Sequence, residues 1–305
     1  MKQITIGPER VAAPAVIQGC MRIGDKSADE VERLIEHDLA CGICFFDHAD
    51  IYGEGRSEAV FGEVLKRRPD LRQKLVIQTK YGIRQGYYDF SKEHIRESVE
   101  GSLRRLNCER IDYLLLHRPD ALMEPEEVAE VFDELHASGK VAHFGVSNQN
   151  PYQMELLRRT VRQPLEINQL QFGPAWTALV DAGLYVNTGE NGAVVRDGGA
   201  LDYCRLNGMT VQAWSPYQHG LIEGPFFEEK SYAPLCKTLE QIGENYGVGA
   251  GTVAIAWILR HPAQMQAVIG STNPERIAAA ARAGELTLTR EEWYEIYRAA
   301  GHEIL

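Results

Sequence analysis

Short apolar runs alternate with longer stretches of helical periodicity from one end of the chain to the other. The runs fall at 15–17, 43–46, 75–77, 111–116, 141–146, 165–167, 209–214 and 266–269. Each is short and bounded, as expected of a mostly buried strand. The stretches between them carry helix start and stop signals. Ser27 caps a segment running to Ala40, with Gly42 just beyond its end. Ser57 stands before 58–66 and Ser91 before 92–106, where Glu93 and Arg96 take the wet side. Pro125 sits in the first turn of 126–138, Gly139 stops it, and Asn150 with Pro151 opens a helix reaching Thr160. Side-chain acceptors and proline at helix starts, and glycine past their ends, answer the unpaired backbone groups there. The polar, Gly- and Asn-rich tract 183–199 reads as a loop inserted before the seventh strand, and 289–300 as one more helix capped by Thr289.

Strand–helix alternation of this kind builds parallel strands joined by crossover helices. Eight strands predict a closed (β/α)8 TIM barrel, here with an N-terminal hairpin and an extra C-terminal helix, forming one domain over 1–305. An open doubly wound sheet is the alternative, but no G-x-G-x-x-G opens the first helix.

Composition narrows the function. With 44% hydrophobic and 25% charged residues over 305 positions, the chain can bury a large core without disulfides or metal. The formal net charge of -11 argues against nucleic acid and anionic membrane surfaces as partners. No run approaches the length of a membrane span, and the N-terminal residues lack the apolar core and cleavage site of a signal peptide. The six cysteines are scattered, as in reduced cytosolic proteins. A cytoplasmic enzyme is the expectation.

On such a barrel, chemistry gathers at the C-terminal ends of the strands. The second strand is followed by Asp47-His48-Ala49-Asp50-Ile51-Tyr52-Gly53, the third ends in Gln78-Thr79-Lys80, and the fourth in His117-Arg118-Pro119. The fifth ends in Ser147-Asn148, the sixth in Asn168-Gln169, and the seventh in Trp214-Ser215-Pro216-Tyr217. Any one of these is more often a structural residue than a catalytic one. Asp47, Tyr52, Lys80 and His117 at three successive strand ends are harder to explain so. A phenol with a pKa of about 10 is a poor acid at neutral pH, and a nearby ammonium eases loss of its proton. Asp47 would hold Lys80, and His117 would orient a substrate oxygen, which makes a general acid for a developing alkoxide.

With these residues in place, the chain resembles the aldo-keto reductase superfamily, close to a sparsely characterised bacterial branch of it. Phe46-Asp47-His48-Ala49-Asp50-Ile51-Tyr52-Gly53 matches the family phrase F-D-T-A-x-x-Y-G except for His48 in place of Thr. Thr79-Lys80, Tyr113-Leu114-Leu115-Leu116-His117 and Gly145-Val146-Ser147-Asn148 match three more phrases. The resemblance implies a catalytic tetrad of Asp47, Tyr52, Lys80 and His117, with NADPH reducing an aldehyde or ketone to an alcohol. It implies that Ser147, Asn148 and Gln169 bind the nicotinamide carboxamide and that Trp214 stacks on the ring. Ser215 and the loop from Pro216 through Gly220 to Leu221 would hold the pyrophosphate. Gly270, Ser271 and Arg276 would meet the adenosine 2′-phosphate. Relatives often carry Lys or Arg beside that serine, where this chain has Gly270 and Thr272. A modest NADP(H) preference with NAD(H) also accepted is therefore expected. His48 is read as closing the strand rather than touching the tetrad. Trp176, Tyr81, Tyr87, Tyr88 and Tyr217 are candidates for the substrate walls, and the oligomeric expectation is a monomer or weak homo-oligomer.

Three competing readings carry less. Cys41-Gly42-Ile43-Cys44 has redox spacing, but it lies at a helix end rather than the helix start that activates a thiol. A cofactor-binding sensor with little turnover is compatible with the fold. A metal centre lacks any paired-ligand spacing.

Overall fold

The computed structural model describes residues 1–304. Eight parallel strands close into a barrel. In chain order they are β1 (Val16–Gly19), β2 (Phe45–Asp47), β3 (Val76–Tyr81), β4 (Ile111–Leu116), β5 (Val141–Ser147), β6 (Leu165–Gln171), β7 (Thr210–Trp214) and β8 (Gln266–Ile269). All eight expected strands are present. Closure comes from β8, which pairs with β7 on one side and β1 on the other. An antiparallel hairpin, Gln3–Ile6 with Val11–Pro14, precedes the barrel.

Eleven helices accompany the strands: α1 (Ala28–Ala40), α2 (Arg56–Arg67), α3 (Lys92–Leu106), α4 (Pro125–Ala137), α5 (Pro151–Arg158), α6 (Ala178–Leu184), α7 (Ala200–Leu206), α8 (Ala233–Tyr246), α9 (Ala250–Arg260), α10 (Pro274–Arg282) and α11 (Arg290–Ala299). Ser27 and Glu30 form a reciprocal cap on α1, Ser91 caps α3, and Asn150 with Gln153 caps α5. Ser57 is not a cap. α2 starts at Gly55, whose φ of +87° a side chain would resist, and Ser57 lies buried in the first turn without a partner. The tract 183–199 is not wholly loop, because α6 reaches Leu184 and a short 3-10 turn covers Asn191–Ala193. Two helices, α8 and α9, follow β7.

Alternate residues of each strand point inward, as barrel closure requires. Ile6 and Ala13 of the hairpin pack with Ile17, Phe45, Tyr113, Leu115, Ile167 and Val268 as an apolar plug inside the barrel. A larger apolar layer lies between the strands and the helices. α11 docks on α9 through two indoles. Trp257 and Trp293 stack at 4.8 Å, and each Nε1–H donates to the other's backbone carbonyl at 3.0 and 3.1 Å. Among the described residues no helix is long and apolar enough to cross a membrane.

Candidate active site

The peptide beyond β2 continues the ladder beside β3: His48 N–H donates to the Gln78 carbonyl at 2.8 Å and Asp50 N–H to the Lys80 carbonyl at 3.0 Å. The chain then turns through Tyr52–Gly55, with Gly53 and Glu54 at positive φ. This turn carries the Tyr52 ring back over Lys80. Asp47 needs no such turn, since it ends β2 on the inward side.

Lys80 is fully buried, and its ammonium has three partners. It donates to Asp47 Oδ2 at 2.9 Å, to the His48 carbonyl at 2.6 Å and to Tyr52 Oη at 3.2 Å. Burial alone would lower this ammonium, but the facing Asp47 carboxylate outweighs it and holds Lys80 above its ordinary value. Burial also pushes the Tyr52 phenol up against the pull of Lys80, so Tyr52 keeps its proton at neutral pH. His117 closes the group, its ring edge-on to Tyr52 at 6.0 Å. Burial, then Lys80 and Arg118, hold His117 well below the usual histidine value, so it is a neutral imidazole. The four expected residues thus meet at the end of one wide cleft of about 720 Å³.

The ring of His48 stays out of this cluster. It is fully buried, packs edge-on against Phe61 at 4.6 Å, and is pushed down to about 3 by burial and then Lys80. Only its carbonyl serves the site.

Further along the cleft, Ser147 Oγ–H donates to the Gln169 carbonyl at 2.9 Å, and Asn148 Nδ2 donates to Ser147 Oγ at 2.7 Å. Trp214 Nε1 donates to Asn148 Oδ1 at 3.2 Å, locking the indole to the same cluster. Asn148 and Ser215 both stand at positive φ, 57° and 51°. Strain of this kind concentrates where a scaffold presents polar groups. Gln169 gives both amide hydrogens to the barrel interior, and its Oε1 accepts nothing among the described residues. At the far end, Gly270, Ser271 and Arg276 line the cleft. A Cβ at Gly270 would meet only open space. The Arg276 guanidinium, in the first turn of α10, has no carboxylate partner among the described residues. A free acceptor where a carboxamide would lie, and a free guanidinium at a helix start where a phosphate would lie, suit a nicotinamide dinucleotide.

Some expected residues fall elsewhere. Gly220 and Leu221 are not part of the lining; Leu221 points outward, 63% exposed, and Ile222 takes the place facing the cleft. Tyr81 is buried against Phe90 and His94, and Tyr87 and Tyr88 stand exposed on a small hairpin. Of the aromatic candidates for the substrate walls, only Tyr217 lines the cleft. Two cations to which the sequence pattern gave no role line the same cleft. Arg22 and Arg118 flank the tetrad end, and the Arg118 guanidinium lies 5.6 Å from the Trp214 ring. Cys41 and Cys44 are not activated thiols, because burial raises both.

Comparison with known proteins agrees with this geometry. The family model described as Aldo/keto reductase family matches residues 15–300. The chain is 37% identical over 319 residues to a 6-dehydroglucose reductase of Agrobacterium fabrum, covering all of both proteins. It is 36% identical over 316 residues to the oxidoreductase YdhF of Escherichia coli, covering all of this chain and 99% of that one. Among solved structures, the thermostable aldo-keto reductase Tm1743 in complex with epalrestat superposes with a TM-score of 0.79 at 24% identity, covering 98% of this chain and 100% of that one. An aldo/keto reductase of Klebsiella pneumoniae in complex with NADP and acetate gives 0.75 at 23% identity, covering 98% and 95%. With its barrel, its tetrad of polar side chains and this family match over nearly its whole length, the chain belongs to the aldo/keto reductase family and is an NAD(P)H-dependent oxidoreductase.

Proposed function

We propose that the protein reduces an aldehyde or ketone to an alcohol, preferring NADPH, with Tyr52 as the general acid. The observation that carries this reading is the Tyr52 hydroxyl held 3.2 Å from a buried ammonium that Asp47 keeps charged. Bound in the cleft, the reduced nicotinamide would supply a hydride to the carbonyl carbon. Tyr52 supplies the proton, since its phenol is protonated at neutral pH and Lys80 offsets the negative charge left on it. Neutral His117 donates a hydrogen bond that orients the carbonyl oxygen. Ser147, Asn148 and Gln169 would hold the carboxamide, Trp214 would cover the ring, and Arg276 with Ser271 would read the 2′-phosphate. The likeness to 6-dehydroglucose reductase of Agrobacterium fabrum makes a polyhydroxylated aldehyde the first substrate to try.

The test is Tyr52→Phe, which removes one hydroxyl and keeps the ring. NADPH affinity should stay within about threefold, while kcat with an activated aldehyde falls by at least about 10²–10⁴-fold. Wild-type turnover in this variant, with chemistry rate-limiting, would show that the acid lies elsewhere.

A further inference from the structure

Asp47 is held from below by two glutamines, of which Gln169 also faces the cleft. Gln78 Nε2 donates to Asp47 Oδ1 at 2.5 Å, and Gln169 Nε2 donates to the same oxygen at 3.1 Å. Both amides also donate to Gln212 Oε1, at 2.8 and 2.9 Å. Gln212 Nε2 returns one bond to Gln78 Oε1 at 3.1 Å and sends the other to Gln266 Oε1 at 2.9 Å. Gln266 Nε2 ends the chain on the Pro14 carbonyl of the N-terminal hairpin at 2.7 Å. All four side chains are buried, Gln169 at 3% exposure and the others at 0%.

The direction of every amide in this chain follows from its two ends. A backbone carbonyl can only accept, so Gln266 must turn its nitrogen to Pro14 and its oxygen to Gln212. Gln212 must then present nitrogen toward Gln266 and oxygen toward Gln78 and Gln169. Those two are left presenting nitrogen, which is what the Asp47 carboxylate needs. Every amide hydrogen of Gln78, Gln169 and Gln212 is used, and the Gln212 oxygen accepts twice. A buried polar network satisfied to this degree is rigid, and one missing member leaves several groups unpaired.

We propose that Gln212, together with Gln78 and Gln266, is a positioning residue for the reaction: the glutamine chain fixes the orientation of Asp47, and through Asp47 it aims Lys80 at the Tyr52 hydroxyl. This rests on the reading of Tyr52 as the acid. Gln212 lies two residues below Trp214 on β7, reaches neither Lys80 nor Tyr52, and acts only through Gln78, Gln169 and Asp47. Polar groups that orient a site residue without touching the substrate typically change activity by about 10–100-fold when removed.

The experiment is Gln212→Met, close in volume and unable to hydrogen-bond the two amides. Expected is a fall in kcat of roughly 10–100-fold, with the carbonyl KM and the NADPH dissociation constant changed less than about threefold. Loss of the Lys80 contact also raises the Tyr52 phenol further, so the alkaline limb of the kcat–pH profile should move up by about half a unit or more. A merely structural glutamine would lower the melting temperature and leave that limb in place. If Gln212→Met does not fold, Gln266→Met removes the bond to Pro14 and the acceptor for one Gln212 hydrogen while leaving the Gln212 bonds to Gln78 and Gln169 in place, and should show the same upward movement with a several-fold loss. Tyr52→Phe is measured alongside. Turnover retained in Tyr52→Phe overturns the acid and this inference with it. An inactive Tyr52→Phe beside a Gln212→Met, or failing that a Gln266→Met, with wild-type kcat and an unmoved alkaline limb overturns the positioning role alone.

Discussion

Lys80 is one buried ammonium with three partners, and in the proposed reaction it carries the charge that eases proton transfer. Removing it as Lys80→Met takes away the charge that eases proton transfer and leaves the Asp47 carboxylate with glutamine donors only. Breaking a buried ion pair costs roughly 3–5 kcal/mol, and the Gln78 and Gln169 N–H groups hold the cost toward the lower end. Activity and stability should therefore fall together. Asp47→Asn combined with Lys80→Met should restore most of the stability, because no lone charge remains, and none of the activity. Denaturant unfolding of the two single variants and the double variant checks this; additive destabilisation would show that the two groups do not act as a pair. At this scale the clustering of Asp47, Tyr52, Lys80 and His117 was readable from sequence, because polar groups at the ends of three successive barrel strands face one mouth. The glutamines were not. Gln78, Gln212 and Gln266 sit in strand runs where an amide reads as a tolerated polar residue, and their mutual geometry exists only once β3, β7 and β8 are brought around one axis.

Helix α10 shows how an element, more than a residue, makes a binding site. Asn273 caps it by accepting from the Arg276 N–H at 3.1 Å, and Pro274 starts it. This fixes the first turn so that Arg276 stands at the positive end of the helix dipole, where an anion is favoured. The guanidinium would grip a 2′-phosphate through parallel N–H groups, and a charged hydrogen bond of this type contributes about 1.5–3 kcal/mol. Arg276→Ala should weaken NADPH binding by roughly 10–100-fold and leave NADH nearly unchanged, so the two dissociation constants converge. Quenching of tryptophan fluorescence, with Trp214 as reporter, measures both. Equal weakening for both cofactors would remove Arg276 from 2′-phosphate recognition. Helices such as α1, α3 and α5 were legible because their caps are side chains. α8 and α9 were not, since Tyr232 and Gly249 precede them without any side-chain cap. α9 is also buried on every side from Thr252 to Leu259, so it has no polar face to reveal a helical period.

At the scale of the whole molecule, two acids raised by burial shape the response to pH. Asp38 on α1 is fully buried, neither carboxylate oxygen has a hydrogen-bond partner, and burial pushes it up to about 8. Asp50 is raised to about 6, by burial first and then by Glu58. Both folded values lie above the roughly 4 of an unfolded aspartate, so the folded state binds more protons between pH 4 and these values. Their contribution is complete below about pH 4 and is lost as pH rises, through about 6 for Asp50 and about 8 for Asp38. Taken alone, these two acids lower stability as pH rises from 5 to 8, while His48 and His117, held neutral below the usual histidine value, act the other way up to about pH 6.5. Relative to wild type, Asp38→Asn should therefore gain at least about 2 kcal/mol of stability between pH 5 and pH 8. Melting temperatures of both proteins at pH 5 and pH 8 check it; an unchanged slope would mean that Asp38 is ionised within the fold.

The hairpin beneath the barrel sets an order of assembly. Its strands, Gln3–Ile6 and Val11–Pro14, leave the ribosome before any strand of the barrel, yet part of the surface that receives them, Val268 and Gln266 of β8, is made last. The Lys2 ammonium donates to the Leu259 carbonyl at 2.9 Å, and the Pro14 carbonyl waits for Gln266, a separation of 252 residues. A ring of eight strands has no inside until β8 joins β1. For nearly the whole of synthesis the nascent chain therefore holds a floor with no room above it. Pairings this distant in sequence are slow to form, because the loop between them must close first. Joining Pro14 to Gln266 also completes the hydrogen-bonded path from Pro14 to Asp47. Until that junction forms, a barrel with all its strands in place still lacks the Pro14 end of the hydrogen-bonded path that leads to Asp47.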